Sequence, residues 1–220
     1  MKKTIIAIIV VATVILVLWV AARFTHTFET YVLSTSAMEP TYKQGSMLMA
    51  SRFKKPDYNA LICFKQPDKT VWVFRCIAKE GDVVELKDAK VYVNGKQLDE
   101  PYTYNEYYIT TRQLDSIRGY INQYKYVVRL LNDSLHTIVL TANEVKEYHL
   151  NLRQFTLTKG ATSQGIYGEF NVMKYNEDNL GPIKVPKNSY FLLGDNRHNA
   201  MDSRYLGFIT TDDVVSTVIN

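Results

Sequence analysis

The residues best suited to chemistry lie near the carboxyl end, in the stretch GDNRHNAMDSRYLGFI at 194–209. Gly194 can take backbone conformations closed to other residues. Asp195 and Asn196 carry short polar side chains that hydrogen-bond their own backbone, so Gly194–Arg197 predicts a tight turn. Asp202 and Arg204 stand two apart. In an extended chain both fall on one face, close enough to form a charge-assisted pair. Taken alone, each tripeptide means no more than a turn with a surface ion pair. Nucleophilic groups are few. Ser34, Thr35 and Ser36 precede Ala37-Met38-Glu39-Pro40-Thr41, and Cys76 sits in the apolar run VWVFRCIA. An unactivated buried thiol is more often inert packing than a nucleophile. His198 and His136 have no carboxylate at triad-like local spacing. The sequence holds no zinc-ligand cluster and no phosphate loop, so no metal and no cofactor is expected.

These residues must be positioned by a chain whose first thirty positions are set apart. Lys2 and Lys3 precede an uncharged, almost wholly apolar run at 5–22. As a helix, at about 1.5 Å per residue, the run spans roughly 27 Å, close to the hydrocarbon thickness of a bilayer. Trp19 lies near its outer end, where an amphipathic ring suits the interface. Two readings stand: an uncleaved anchor, and a cleavable signal peptide with Val20-Ala21-Ala22 as its site. The run exceeds the roughly 7–15 residues of a signal h-region, which favours the anchor. Lys2, Lys3 and the free amine favour a cytoplasmic amino terminus (1–4), with the remaining chain outside. The net charge of +4 is not concentrated in a block, so nucleic-acid binding is not inferred. Two cysteines, Cys63 and Cys76, are too few for a disulfide scaffold. Both lie in apolar strand-like runs, so two separate buried thiols are favoured over a pair.

Tyr31-Val32-Leu33 reads as a strand leading into 34–41, where Pro40 forbids regular helix and biases Glu39 toward extended geometry. Residues 46–53, 59–64 and 70–78 are strand-like, and 83–86 begins another strand after Gly81-Asp82. KVYVNGKQL at 90–98 is a hairpin with Asn94-Gly95 in a type I′ turn. A long tyrosine-rich insertion runs from Glu100-Pro101-Tyr102 to about Pro182. In it, Leu114, Ile117, Ile121 and Tyr124 predict a helix over 110–124. Residues 126–130 and 135–140 predict paired strands around Asn132-Asp133. Thr141 and Glu144 form a capping box for a short helix. The expectation is therefore a mostly β protein: an antiparallel core from 31–82 plus 183–220, an inserted α+β subdomain at 83–182, and one N-terminal transmembrane helix.

The string at 194–209 resembles the last signature box of the type I signal peptidases, the membrane-bound serine proteases that cut signal peptides from exported proteins. TSAMEPT at 35–41 is similar to the box carrying the family's nucleophile, and FRCIAKEGD at 74–82 to the strand carrying its general base. The apolar anchor, the hairpin ending in Glu100-Pro101-Tyr102 and the lead-in at 186–193 also look like the family. Residues 57–64 match only loosely. Little of the insertion is covered. The resemblance implies a serine nucleophile whose proton is taken by a neutral lysine, with burial lowering that lysine's pKa. The serine's place, before Met38-Glu39-Pro40-Thr41, is Ala37. The lysine's place, before Arg75, is Phe74. The place of the serine that orients the lysine, after Asn199, is Ala200. No catalytic residue of the family pattern is intact. Thr35 matches the side-chain oxyanion donor, the Ala37 amide the backbone donor, and Gly194, Asp195, Asn196, Arg197, Asp202 and Arg204 the structural box.

The three departures are mutually consistent: without the serine, the lysine has nothing to deprotonate, and without the lysine, the second serine has nothing to hold. A phenyl ring beside two methyl groups fills an apolar pocket and leaves no unpaired polar atom. Ser34 and Ser36 alternate with Thr35 and Ala37, so in an extended chain they face away. Lys79 falls near a turn and on the face opposite Phe74, while Cys76 shares the face of Phe74. Three readings follow. The first is a catalytically inactive signal-peptidase-fold protein of the cell membrane, with its C-terminal domain outside the cytoplasm. It would contact membrane lipid and bind signal peptides, small-residue segments or a second, intact signal peptidase. The second is an active signal peptidase using residues outside the family pattern. The third, deliberate replacement of the serine, explains Ala37 but not Phe74 or Ala200.

Overall fold

The computed structural model describes residues 2–24, 28–121 and 128–219. Helix α1 (Lys2–Phe24) comes first. Its segment Lys3–Ala21 is long and apolar enough to cross a membrane, and none of it is buried against the rest of the chain. The strands that follow are β1 (Phe28–Val32), β2 (Met47–Ser51), β3 (Leu61–Lys65), β4 (Val71–Lys79) and β5 (Val83–Lys87). Next come β6 (Lys90–Val93), β7 (Lys96–Gln97), β8 (Tyr104–Thr110), helix α2 (Thr111–Ile117), β9 (Val128–Asn132) and β10 (Leu135–Thr141). Helices α3 (Ala142–Glu147) and α4 (Gly168–Val172) precede β11 (Leu180–Lys184) and β12 (Ser189–Leu193). The chain ends with α5 (Ser203–Leu206), β13 (Ile209–Thr210) and β14 (Val214–Val218).

The strands form a seven-stranded sheet in the order β1-β2-β14-β3-β4-β12-β13, a four-stranded sheet β11-β5-β6-β7 and a three-stranded sheet β8-β10-β9. Their ladders are antiparallel. The mostly β, antiparallel architecture read from the sequence is the one the chain adopts. β4 is the hinge of the arrangement. Its run of β-branched and aromatic residues suits a strand buried on both faces. Phe74 and Cys76 join one core cluster with Leu48, Ile62, Phe64 and Leu192. Ile77 and Ala78 join a second with Val84, Leu86, Val91, Phe191 and Leu193. The four-stranded sheet therefore packs directly on the larger one. A register shift between Phe191 and Leu192 re-aims β12 against β4, which leaves Gly194 next in line beyond the Leu193–Arg75 pair.

Local chemistry explains the smaller elements. Asn94 and Gly95 both take positive φ (52° and 77°), as a type I′ turn requires. Thr110 and Thr141 each close a capping box, with Gln113 and Glu144. The helix expected over 110–124 is shorter: α2 ends at Ile117, and residues 122–127, including Tyr124 and the start of the strand expected at 126–130, lie outside the described residues. Thr110 itself is the cap, and only Leu114 and Ile117 are buried within α2. Strand β11 went unread because Gly181-Pro182 interrupts it. It tolerates the proline at an edge, where the register to β5 breaks between Leu180 and Ile183.

Phe191 is fully buried in the cluster shared by the two larger sheets. Phe191→Ala is expected to destabilise the protein by about 3–5 kcal/mol, through lost transfer energy and an unfilled cavity. Urea unfolding in detergent, followed by tryptophan fluorescence, checks this.

Candidate functional site

The loop at 194–204 is closed by a buried ion pair. Arg204 donates from Nε to Asp202 Oδ1 at 2.8 Å and from a terminal nitrogen to Oδ2 at 2.9 Å. Asp202 also accepts from the Gly194 amide at 3.0 Å, and Arg204 donates to the Arg197 carbonyl at 2.9 Å. Asp202 is wholly buried and Arg204 nearly so. Burial acts against the Arg204 charge, but the Asp202 carboxylate outweighs it, and its pKa is raised. The expected pairing is present, but not through an extended chain. Asp202 is the N-cap of α5, and Arg204 lies in the first turn beyond it. A carboxylate at an N-cap also satisfies helix amides, which an extended dipeptide does not offer.

Asp195 anchors the other side of the turn. It is fully buried and accepts from Arg75 Nε at 2.7 Å, from a terminal nitrogen of Arg75 at 2.5 Å and from Thr41 Oγ1 at 2.5 Å. Burial opposes the Arg75 charge, and Asp195 restores and raises its pKa. Arg197 donates to Glu100 at 2.6 Å. Arg75, Thr41 and Glu100 are thus structural partners that local sequence spacing did not reveal, although each lies in a stretch the resemblance marks.

Residues 37–41 form a turn, not the extended chain that Pro40 suggested. The Glu39 amide donates to the Ser36 carbonyl at 3.0 Å. The Asn196 amide donates to the Ala37 carbonyl at 3.0 Å, which docks this turn on the last box. Ala37, Phe74 and Ala200 belong to one core cluster. A methyl group built on Gly194 would overlap Ala200 Cβ, stand 2.8 Å from the Ala37 oxygen and 3.4 Å from Phe74 Cε1. The three segments therefore converge on one point, and only glycine leaves room there.

Beside that point opens an apolar cleft of about 390 Å³, lined among others by Tyr31, Thr35, Ala37, Trp72, Phe74 and Met201. The Phe74 ring packs edge-on to Trp72, with centroids 6.1 Å apart, and is 3% exposed. Thr35 and Ala37, the oxyanion candidates, both line the cleft, and the Ala37 amide reaches Thr35 Oγ1 at 3.4 Å. Ser34, expected to face away from Thr35 and Ala37, lines the cleft with them, because the chain bends at 35–36; Ser36 is not among the cleft-lining residues, and its hydroxyl accepts from Asn199 Nδ2 at 2.9 Å.

The other candidates are held elsewhere. Lys79 Nζ pairs with Asp57 at 2.7 Å, which raises its pKa and keeps it charged. Cys76 and Cys63 are buried and free, and burial pushes both thiols up to about 12. His136 meets Thr111 Oγ1 at 3.0 Å, in the insertion. His198 does find a carboxylate through the tertiary fold, Glu106 at 3.1 Å, but both line a separate polar cavity and not the cleft. Among the described residues, no three His, Cys, Asp or Glu side chains are grouped to hold a metal ion.

The family model described as signal peptidase, peptidase S26, matches residues 3–219. The chain is similar to signal peptidase I T of Bacillus subtilis (strain 168), with 28% identity over 198 residues, 86% of this chain and 71% of the relative. It is similar to signal peptidase I V of the same strain, with 26% identity over 195 residues, 87% of this chain and 83% of the relative. A solved signal peptidase I from Enterococcus faecalis V583 overlaps 76% of this chain and 98% of its own, at 22% identity and a TM-score of 0.37.

Two outcomes follow from the geometry. Gly194→Ala is expected to lower stability by about 1–3 kcal/mol or more, since the added methyl has no free space. Chemical denaturation reads the loss. Iodoacetamide at pH 8 is expected to leave Cys63 and Cys76 unlabelled in the native protein and to label both after unfolding, since thiols at about 12 hold almost no thiolate. Mass spectrometry decides this.

Proposed function

The chain belongs to the S26 signal peptidase family, and we propose that it is a member without peptidase activity. In this reading it binds signal peptides, or similar segments with small residues at alternate positions, in the apolar cleft. Helix α1 serves as a single membrane span with Lys2 and Lys3 on the cytoplasmic side and the β domain outside. One observation supports this reading above the rest: Ala37, Phe74 and Ala200, whose segments meet beside Gly194 in one core cluster, carry two methyls and a phenyl. A methyl cannot attack a carbonyl, and a phenyl cannot accept a proton. Losing such a dyad costs on the order of 10⁶-fold in turnover in a comparable serine protease, with about 10³–10⁴ over water left from binding and the oxyanion donors.

Peptide binding does not need the dyad. Among the described residues β1 is an edge strand, paired to β2 alone, and Tyr31 and Val32 border the cleft. An extended segment can add beside it by main-chain hydrogen bonds, with alternate side chains entering the cleft. No substitute base stands ready: Lys79 is paired with Asp57, and Thr35 has no proton acceptor among the side chains lining the cleft. A second, intact signal peptidase remains the alternative partner within the same reading.

Purified full-length protein in detergent, given a precursor with a small-x-small site, is expected to produce no cleavage above background. Cys76→Ala and Lys79→Ala should change nothing, and Ala37→Ser alone should stay inactive, since a serine without a base is a weak nucleophile. Ala37→Ser with Phe74→Lys and Ala200→Ser is expected to produce trace cleavage. Cleavage by the unmodified protein that disappears in Thr35→Val or Cys76→Ala would overturn the reading.

A further inference from the structure

Other residues of the last box than those at the cleft line a second cavity, polar and about 320 Å³ in volume. That is within the size range of small-ligand sites. Its walls come from distant parts of the chain: Glu106 on β8, Glu177 and Asp178 before β11, and Arg197, His198 and Arg204 in the last box. The basic side chains there are largely committed. Arg204 is paired with Asp202, Arg197 with Glu100, and His198 with Glu106. Arg129, at 3.9 Å from Glu106, is about half exposed.

The acceptors are not committed to the same degree. Glu177 Oε2 is buried and has no hydrogen-bond partner. Asp178 accepts from the Leu157 amide at 2.7 Å. Burial raises the pKa of the Asp178 carboxyl, and the neighbouring Glu177 adds to this. A buried carboxylate oxygen without a donor is costly, and a donor-rich cation removes that cost. An anion would meet Arg197 and Arg204 already paired with Glu100 and Asp202, and would face the buried, unpartnered Glu177 oxygen. A metal ion would find no adequate ligand group among the described residues.

We infer that this cavity is a binding site for an organic cation, a primary ammonium or guanidinium group held by Glu177 and Asp178. The assignment is independent of what the cleft binds. The group can be a free amine or the side chain of a basic peptide residue, and both offer the same N–H donors.

The test uses the full-length protein in micelles with ¹³C-methyl leucine and valine. It is titrated with 1,4-diaminobutane, with acetyl-Ala-Lys-Ala-amide, and with tetramethylammonium at matched ionic strength. Saturable shifts are expected at Leu86 and Leu157, which line the cavity, and not at Val71 and Val73 of the cleft. Response to the diamine alone identifies a free amine, and response to the peptide identifies a basic side chain. Glu177→Gln and Asp178→Asn should each weaken binding at least tenfold, while Glu147→Gln on the exposed face of α3 should not. If Asp178→Asn fails to fold, the isosteric Glu177→Gln carries the test. Saturation by neither probe, an equal response to tetramethylammonium, shifts centred on the cleft, or undiminished binding in Glu177→Gln would each overturn the assignment.

Discussion

A single buried ion pair, Asp202 with Arg204, holds the loop on which the rest of the site is built. Two charges taken out of water are tolerated only when their lone pairs and protons are satisfied; removing one partner of such a pair costs about 3–5 kcal/mol. Here Asp202 takes the Gly194 amide and the guanidinium, and Arg204 reaches back to the Arg197 carbonyl. The two ends of the loop are thereby tied to each other before anything else touches it. Asp195, locked by Arg75 and Thr41, then fixes the loop to β4 and to the turn that follows Ala37.

So braced, the loop is a partition. Arg197 and His198 line the polar cavity on one side, while Asn199 and Met201 line the apolar cleft on the other. The two sides follow opposite rules. The polar side gathers charges, most of which are paired across elements distant in sequence. The apolar side meets near Gly194, where the Ala200 methyl and the Phe74 ring close on the backbone and Ala37 joins the same core cluster, its carbonyl satisfied by the Asn196 amide. Changing one of these three alone would bury a hydroxyl or an amine against hydrocarbon. That is a physical reason for three apolar side chains to occur together there.

Where sequence and structure diverge, the cause is tertiary. The helical spacing of Leu114, Ile117, Ile121 and Tyr124 was a fair signal, yet α2 closes at Ile117, because regular spacing does not say where a helix ends. β11 carries a Gly-Pro pair that argues against a strand, and it exists because an edge position and a register break excuse the missing donor. The alternation of Ser34 and Ser36 with Thr35 and Ala37 holds only in an extended chain, and the bend at 35–36 lets Ser34 line the cleft beside them.

The sequence by itself determined the family, the antiparallel β character and the apolar N-terminal helix. Each of these is written in the identity or the short-range alternation of residues. Only the tertiary structure decided which distant groups meet. It brought Glu106 to His198, Glu100 to Arg197 and Asp57 to Lys79 across separations of about twenty to a hundred residues, and it opened a charged cavity behind the last box. The physical reason is that ion pairing and burial depend on distance in space. Local spacing reports only the neighbours that a single strand or helical turn can bring together.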